Sequence, residues 1–315
     1  MRKFHTAACL LCCAFLLASC AALGGLGKED KHTLRFRPEK GAGYTLLFKL
    51  ENKINQRLRG RDFLMRMNHE LRINMTVTKS DAESATLLTT LDHYKHFGSD
   101  PTRSVSYDSR SAGDVKPPEN AIFGPLVGKS FYLTVASNGE VLDFELVSDS
   151  AGEAKNAETD ESPGEALTAK PYDKEYLGAL MQGFFFTYPD REIGIGDVWT
   201  ERGDFELLVP MSKRINYTLK GQKDETLFVD VASTFVFDSN AKDIEYMGLK
   251  IRPTLKGSAS GVLSIDRASG LLKSYKSTAS ITGDMVIAAD RRPPGMPGSW
   301  PIGIKTTCTM ELHKL

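Results

Sequence analysis

The stretch FLMRMNHELRINMTVT, residues 63–78, decides the fold of this chain. Its odd-numbered residues are almost all apolar and its even-numbered residues are mostly polar. Because successive side chains of a β-strand point to opposite faces of a sheet, the stretch predicts one strand with an apolar and a polar face. Such a strand is far longer than the usual five or six residues and is typical of strongly curved sheets. One wet face also favours antiparallel pairing.

The same alternation recurs along the chain, from Tyr44 to Leu50 at one end and over residues 303–313 at the other. Two glycine turns, at Asn138-Gly139 and at Ser269-Gly270, separate further alternating runs and predict two hairpins. The pattern therefore predicts a mainly β (α+β) protein built on long, curved antiparallel sheet, half-barrel-like in form.

One segment has a helical period. Apolar residues of the segment 172–187 recur at helical spacing and Pro189 follows them, which predicts one principal helix. The preceding residues 148–170 are acidic and lack aromatic side chains, which indicates a mobile loop. The two hairpins resemble each other, so duplicated halves over 40–147 and 205–313 are one hypothesis. Chance is the other, because a strand, a glycine turn and a strand are common.

The N-terminus has its own signature. Arg2 and Lys3 precede an apolar run over 7–18, which is too short to cross a membrane and fits a secretory signal. The run ends in Leu17-Ala18-Ser19-Cys20, which resembles the lipobox of bacterial lipoproteins. The alternative is an ordinary signal or anchor that contains a cysteine.

The resemblance to lipoproteins implies cleavage between Ser19 and Cys20, a diacylglyceryl group on the Cys20 thiol and an acyl group such as palmitate on its new amino terminus. It divides the chain into a signal peptide over 1–19, a lipidated tether over 20–33 and a β-rich body over 34–315. Many Gram-negative lipoproteins are retained at the inner membrane by an aspartate after the cysteine. Alanines follow Cys20 here, so the resemblance implies the outer membrane, facing the periplasm.

Composition excludes several classes of function. The chain has 40 basic and 40 acidic residues, so its overall field does not favour nucleic acid. After loss of the signal, and with Cys20 used for lipid, Cys308 is the one remaining cysteine, so no intrachain disulfide is expected. Cys308 lies on the apolar face of the alternating run 303–313, which predicts a buried cysteine acting as a small hydrophobe.

Motifs for catalysis or cofactor binding are missing from the sequence, so we predict no catalytic, cofactor-binding or metal-binding residue. His93 and His96 form an H-x-x-H, but three residues apart on a strand they point to opposite faces. The segment 49–79 holds a surplus of basic residues. It fits either the wet face of a sheet or a surface for anionic headgroups or lipopolysaccharide.

Tyr188-Pro189 and the turn Gly194-Ile-Gly196-Asp197-Val-Trp199 form the most distinctive internal motif. With the two hairpins, they resemble an uncharacterised family of β-rich bacterial envelope lipoproteins over about residues 120–290. That resemblance implies an envelope β-protein and no activity. The long strands with one helix are also similar to the half-barrel folds of lipoprotein carriers.

The favoured functional hypothesis is a membrane-anchored lipoprotein that binds an apolar or amphipathic ligand and does not catalyse. Met65, Met67, His69 and Met75 share the apolar face of the long strand and are the candidate ligand-lining residues. The alternative for these side chains is packing against the helix over 172–187. The alternative for the protein is an interaction or scaffold module with an envelope protein partner, and a hydrolase is the third.

Overall fold

A computed structural model describes the body of the protein. The described residues are 31–111, 123–147, 178, 181–206, 210–237, 243–246, 249–287 and 297–315. The predicted signal peptide, the lipidation site, most of the tether and the acidic loop 148–170 lie outside the described residues.

The described part of the chain is dominated by β-strands. In chain order they are β1 Gly43–Leu58, β2 Arg61–Ser80, β3 Ser84–Ser99, β4 Ser104–Asp108, β5 Ser130–Ala136, β6 Val141–Leu146, β7 Val198–Glu206, β8 Pro210–Lys223, β9 Thr226–Phe237, β10 Ile244–Tyr246, β11 Leu249–Pro253, β12 Lys256–Asp266, β13 Leu272–Ile287 and β14 Ser299–Lys314. A short 3-10 helix spans Gly124–Leu126. The prediction of a mainly β protein is confirmed, and the 63–78 stretch lies within the 20 residues of β2.

All fourteen strands belong to one antiparallel sheet. Its main path runs β6-β5-β3-β2-β1-β14-β13-β12-β9-β8-β7, so β6 and β7 stand at its two ends. β4 pairs with β3, β11 with β13 and β10 with β11. The first and last strands, β1 and β14, pair along most of their length, from Tyr44 opposite Lys314 to Gln56 opposite Ile302. This pairing unites the strands before residue 147 with those after residue 198.

The predicted principal helix over 172–187 is not confirmed, because half of it lies outside the described residues; of those described, Gly178, Met181 and Gln182 are helical. Residues 172–177, 179 and 180 lie outside the described part of the chain, and the helical conformation at Met181 and Gln182 ends there. The following residues form a turn and then an extended segment in which Phe184, Phe186 and Tyr188 are buried. This alternation arises because the segment after Gln182 is extended and packs on the sheet, and in an extended chain the inward side chains recur at every second position.

Both predicted hairpins are present, as β5–β6 and β12–β13. Gly139 and Gly270 both have positive φ, at 88° and 67°. Asn138 does not share that conformation, although a two-residue Asn-Gly turn would require it. The Asn138 side chain instead accepts a hydrogen bond from the backbone N–H of Glu140. The two-residue turn between β1 and β2 does have positive φ at both of its positions, Arg59 and Gly60.

One face of the sheet, here called the core face, carries the main apolar cluster. Two chain segments, 32–37 and 181–193, cover that cluster at one end of the strands. They are joined to each other through His32 and Ile193, whose backbone groups exchange two hydrogen bonds. Phe36 of the first segment and Tyr188 of the second donate backbone N–H groups to the β5–β6 turn. Two smaller apolar clusters, around Trp300 and around Phe237, lie toward the other end of the strands.

Candidate functional site

Between these clusters the core face is only half buried. We call this part the middle band. It comprises Leu50, Asn52 and Ile54 of β1, Met65 and Met67 of β2, Ile215 of β8, Ala259 of β12, Ser277, Ala279 and Ile281 of β13, and Ile304, Thr306 and Cys308 of β14.

Strand register brings the middle band together from distant parts of the chain. Met67 lies opposite Asn52, which lies opposite Thr306 on its other side. The Thr306 hydroxyl donates a 2.7 Å hydrogen bond to the Asn52 side-chain oxygen. Beyond Thr306 the row continues through Ala279 and Ala259. Small side chains therefore lie at the centre of the band, with the larger apolar side chains of Ile54, Ile304 and Ile281 on one side of them.

The four candidate ligand-lining residues divide between two environments. Met65 and Met67 are half buried and belong to the middle band. Met75 and His69 are buried in the main cluster, with 8% and 2% of their surface exposed. The structure therefore brings two of the four to an accessible surface, while the other two pack in the core.

His69 takes part in a buried polar cluster that the sequence did not reveal. Its Nδ1 lies 2.8 Å from the hydroxyl of Tyr94, and its ring centre lies 5.0 Å from that of His96. Burial, with a smaller contribution from the neighbouring His96, lowers the pKa of His69 from 6.5 to about 4. The imidazole is therefore neutral at pH 7.

A β-bulge explains why Tyr94 and His96 reach the core face. Ile73 pairs with Leu91 and the next residue, Arg72, pairs with His93, so β3 has one extra residue at this point. The bulge shifts the inward positions of β3 by one, and His93 turns to the outer face. There its Nε2 lies 2.6 Å from a carboxylate oxygen of Asp108.

On the other side of the middle band, Glu201 and Lys213 form an ion pair on the core face. Lys213 Nζ lies 2.6 Å from Glu201 Oε1, and the Tyr217 hydroxyl donates a 2.9 Å hydrogen bond to Oε2. Burial raises the pKa of the Glu201 carboxyl, but the hydrogen bonds and charge of its partners together outweigh it and hold the pKa below its usual value. Register places Glu201 opposite Ile215, at the edge of the middle band.

Cys308 lies in the middle band between Leu50 and Ser277. It is half buried and packs against the main apolar cluster. Burial raises the pKa of its thiol to about 12. The thiol is thus protonated at neutral pH, which fits the predicted apolar role.

The hollows of the molecule differ in size and lining. The hollow beneath the covering segments, lined by Phe36, Met75 and Phe184 among others, measures about 30 Å³. That is far below the roughly 300 Å³ of small ligand sites, so the covered end of the core face is filled by the protein itself. Larger hollows of about 480 Å³ and 630 Å³ are lined mainly by polar side chains.

The Gly-Asp-x-Trp motif is structural. The Asp197 carboxylate accepts hydrogen bonds from the Gly194 backbone N–H and from Arg191, which closes the turn before β7. Trp199 then stacks on Tyr217 with ring centres 5.2 Å apart and donates its indole N–H to the Thr187 carbonyl. These contacts hold the covering segment 181–193 against the sheet.

The described residues show neither a metal-binding cluster nor a membrane-spanning helix. No three histidine, cysteine, aspartate or glutamate side chains in the described ranges come together as a metal site would require. None of the helical segments in that part of the chain is long and apolar enough to span a membrane.

Comparison with known proteins places the chain in a family. Residues 82–272 match a family of unknown function, DUF6263. The chain belongs to the DUF6263 family. The matched region contains the bulged strand β3, the hairpin β5–β6, the Gly-Asp-x-Trp turn and β12 with the turn at Gly270. The long strands β1 and β2, the last strand β14 and all but the first residue of β13 lie outside it.

Solved structures resemble this DUF6263 protein only distantly. Lipovitellin, described in a study of its lipid–protein interactions, is 11% identical with a TM-score of 0.44. The comparison covers 87% of this chain, which spans only a quarter (25%) of the lipovitellin chain. An outer membrane channel from Pseudomonas putida F1 is 8% identical with a TM-score of 0.24, over 91% of this chain and 100% of that one. No curated protein sequence matches the chain.

Proposed function

We propose that this protein is a membrane-anchored envelope lipoprotein that binds an apolar or amphipathic ligand on the middle band, without catalysis. The single observation that supports the proposal is the half-buried state of the band. Its apolar side chains lie on the same face as the core, yet water still reaches them. Contiguous apolar surface of this kind commonly marks a binding site.

The chemistry of the band suits an acyl chain. Met65 and Met67 are flexible and polarisable, so they can adapt to ligands of different shape. Ile54, Ile304 and Ile281 continue the apolar surface across the neighbouring strands. Each methylene of a chain that moves from water onto such a surface contributes about 0.8 kcal/mol.

Polar groups within reach of the band suit an amphipathic ligand. The Asn52–Thr306 pair lies at its centre and the Glu201–Lys213 pair at its edge. A head group with hydrogen-bonding or charged atoms would contact these pairs while its chain covers the isoleucines and methionines. The proposed lipid anchor on Cys20 would keep the band close to a source of such molecules.

A blocking variant tests the proposal. Ala279→Trp fills the centre of the band with a large apolar side chain, while Thr282→Trp, on the same strand but on the exposed outer face, is the matched control. We expect an apolar fluorescent probe to bind the wild type and the control, and to bind Ala279→Trp at least about tenfold more weakly.

Mass spectrometry of the purified wild type gives an independent measurement, with a co-purifying lipid as the expected result. The proposal fails if no lipid co-purifies and the probe does not bind. It also fails if the probe binds all three proteins equally, because binding would then be elsewhere.

An interaction module is the second candidate, supported by the edge of the sheet. β6 stands at the end of the strand order, and Leu142 and Leu146 on it are 57% and 43% exposed. A strand at the end of a sheet with exposed apolar side chains favours addition of a strand from another chain. Photocrosslinking from position 142 in intact cells tests this candidate: a single specific protein adduct is expected, and its absence excludes a partner at this edge.

A further inference from the structure

The outer face of the sheet carries three basic residues side by side. Strand register places Arg66 directly opposite Lys53, and Lys53 directly opposite Lys305. All three side chains are exposed. Like charges at directly opposite positions of neighbouring strands destabilise a sheet, so this arrangement, here called the basic row, is costly for the fold.

Other basic residues on the same strands are compensated. Lys49 lies 3.1 Å from Glu51 and 3.5 Å from Glu70, and Arg57 pairs with Asp62. On β2 and β3, Arg72 pairs with Asp92 and Lys95 with Asp108. Within the described part of the chain, no acidic side chain forms an ion pair with Lys53, Arg66 or Lys305. The basic row is thus a local positive charge that the neighbouring carboxylates leave unmatched.

The basic row borders a hollow of about 480 Å³ on the outer face. Lys53 and Lys305 line it together with five outer-face hydroxyl residues from three adjacent strands: Ser258, Ser260, Thr278, Ser280 and Thr307. Ala259, Ala279 and Thr306, whose side chains belong to the middle band, also contribute to its lining. Glu51 also lines it, but its carboxylate is held by Lys49 at 3.1 Å. The volume lies in the range of small-ligand sites.

We infer that this hollow is a binding site for a phosphate group attached to a polar, hydroxyl-bearing molecule. The phosphate lies against Lys53 and Lys305, with Arg66 beside them, where charge-assisted hydrogen bonds and neutralisation of the row stabilise it. The serine and threonine hydroxyls of β12, β13 and β14 both donate and accept, so they suit the hydroxyl groups of the same ligand. The charged and hydroxyl side chains of this site lie on the opposite face of the sheet from the apolar side chains of the middle band.

Two sources share this chemistry, a phospholipid head group and a soluble phosphorylated molecule. The probes are vesicles of phosphatidylglycerol in phosphatidylcholine, and sn-glycerol 3-phosphate, a soluble molecule that carries a phosphate on glycerol without acyl chains. Glycerol alone and pure phosphatidylcholine vesicles are the blanks. Binding of the soluble probe is measured by calorimetry and binding of the vesicles by co-sedimentation, each at low and moderate salt. Comparison of the two separates the two sources.

The test variant is Lys53→Gln with Lys305→Gln, and the matched control is Lys220→Gln with Lys250→Gln, which removes the same charge elsewhere. We expect the test variant to bind at least about tenfold more weakly and the control to bind as the wild type does. Because the row is costly for the fold, the test variant should unfold at an equal or higher urea concentration than the wild type.

Loss of binding to either probe in the test variant alone supports the site, and the probe that binds identifies the source. The inference is overturned if the wild type binds neither probe, or if both double variants lose affinity equally, since the latter result means a general charge effect. These outcomes leave the binding of apolar probes to the middle band untouched.

Discussion

The hydroxyl of Tyr94 lies 2.8 Å from Nδ1 of His69, and both side chains are buried on the core face. Phe123 packs edge-on against both rings, with ring centres 5.7 Å and 6.2 Å away. Because no bulk water reaches this cluster, each polar atom relies on protein partners. The hydrogen bond therefore ties β2 to β3 at the border of the middle band.

Removal of this hydrogen bond should destabilise the protein. Tyr94→Phe leaves a ring nitrogen of His69 buried without the hydroxyl, and we expect a loss of about 1–3 kcal/mol in the free energy of unfolding. Urea titration measures it. Tyr132→Phe, at an exposed position of β5, is the control and should change stability by less than about 0.5 kcal/mol. Equal effects of the two variants would contradict the assigned role of Tyr94.

The low pKa of His69 predicts a pH dependence of stability. The folded state keeps His69 neutral down to about pH 4, whereas the unfolded state binds a proton below about 6.5. The contribution of neutral His69 to the free energy of unfolding is therefore complete above pH 6.5. It is lost as the pH falls toward 4, by about 3 kcal/mol in total. Unfolding free energies at pH 7 and pH 4.5 measure it. His69→Gln should flatten this slope, while substitution of the exposed His313 by glutamine should leave it unchanged.

Much of the fold could be predicted from the sequence because a period of two is a local signal. Residues 63–78 specify a strand and a face by themselves, and the glycine turns at Gly139 and Gly270 specify hairpins. The pairing of β1 with β14 has no such signal, since it joins the two ends of the body through backbone hydrogen bonds that any two strands can form.

The sequence did not reveal the polar cluster of His69, Tyr94 and His96, nor the extended form of the covering segment 181–193, for two physical reasons. A one-residue bulge in β3 moves Tyr94 and His96 onto the core face, and a continued alternation from Leu91 would have turned both outward. In the covering segment, Phe184, Phe186 and Tyr188 alternate inward, but Phe184 together with Met181 and Phe185 also fits the spacing of a helical stripe. Short apolar runs satisfy both periods, so tertiary packing decides between them.

Gly139 should tolerate no side chain. Its φ is 88°, and a Cβ there would lie 1.9 Å from the carbonyl oxygen of Phe186 in the covering segment. Gly41 has a similar φ of 85°, and no atom lies within 4 Å of where its Cβ would be. Gly41→Ala therefore isolates the cost of holding a non-glycine residue at positive φ, about 1–2 kcal/mol. We expect Gly139→Ala to cost at least about 3 kcal/mol in a urea titration, because the segment must also move. Similar losses for the two variants would mean that the contact is unimportant.

Cys308 should resist thiol reagents in the folded protein. Burial raises its pKa to about 12, so the reactive thiolate is almost absent at pH 8. We expect labelling by a maleimide, followed by intact mass, to be slow in buffer and rapid in concentrated urea. A Cys20→Ser protein expressed without residues 1–19 has Cys308 as its one cysteine, so the labelling reports on that thiol alone. Rapid labelling without denaturant would show that the strand opens readily at this position.

The lipobox resemblance predicts how the protein is held in the cell. If Cys20 carries a diacylglyceryl group, Cys20→Ser should prevent lipidation and move the protein from the membrane fraction to a soluble one or leave it unprocessed. The wild type should show an intact mass that begins at Cys20 with the mass of its acyl groups added. Cys308→Ser changes the same atom in the body and should leave fractionation and lipid mass unaltered. Membrane association of Cys20→Ser equal to the wild type, with no acyl mass on either protein, would exclude the anchor. A lipid anchor is stable when one residue carries two or more acyl chains. Without such an anchor on Cys20, the middle band would have no reason to lie near a bilayer.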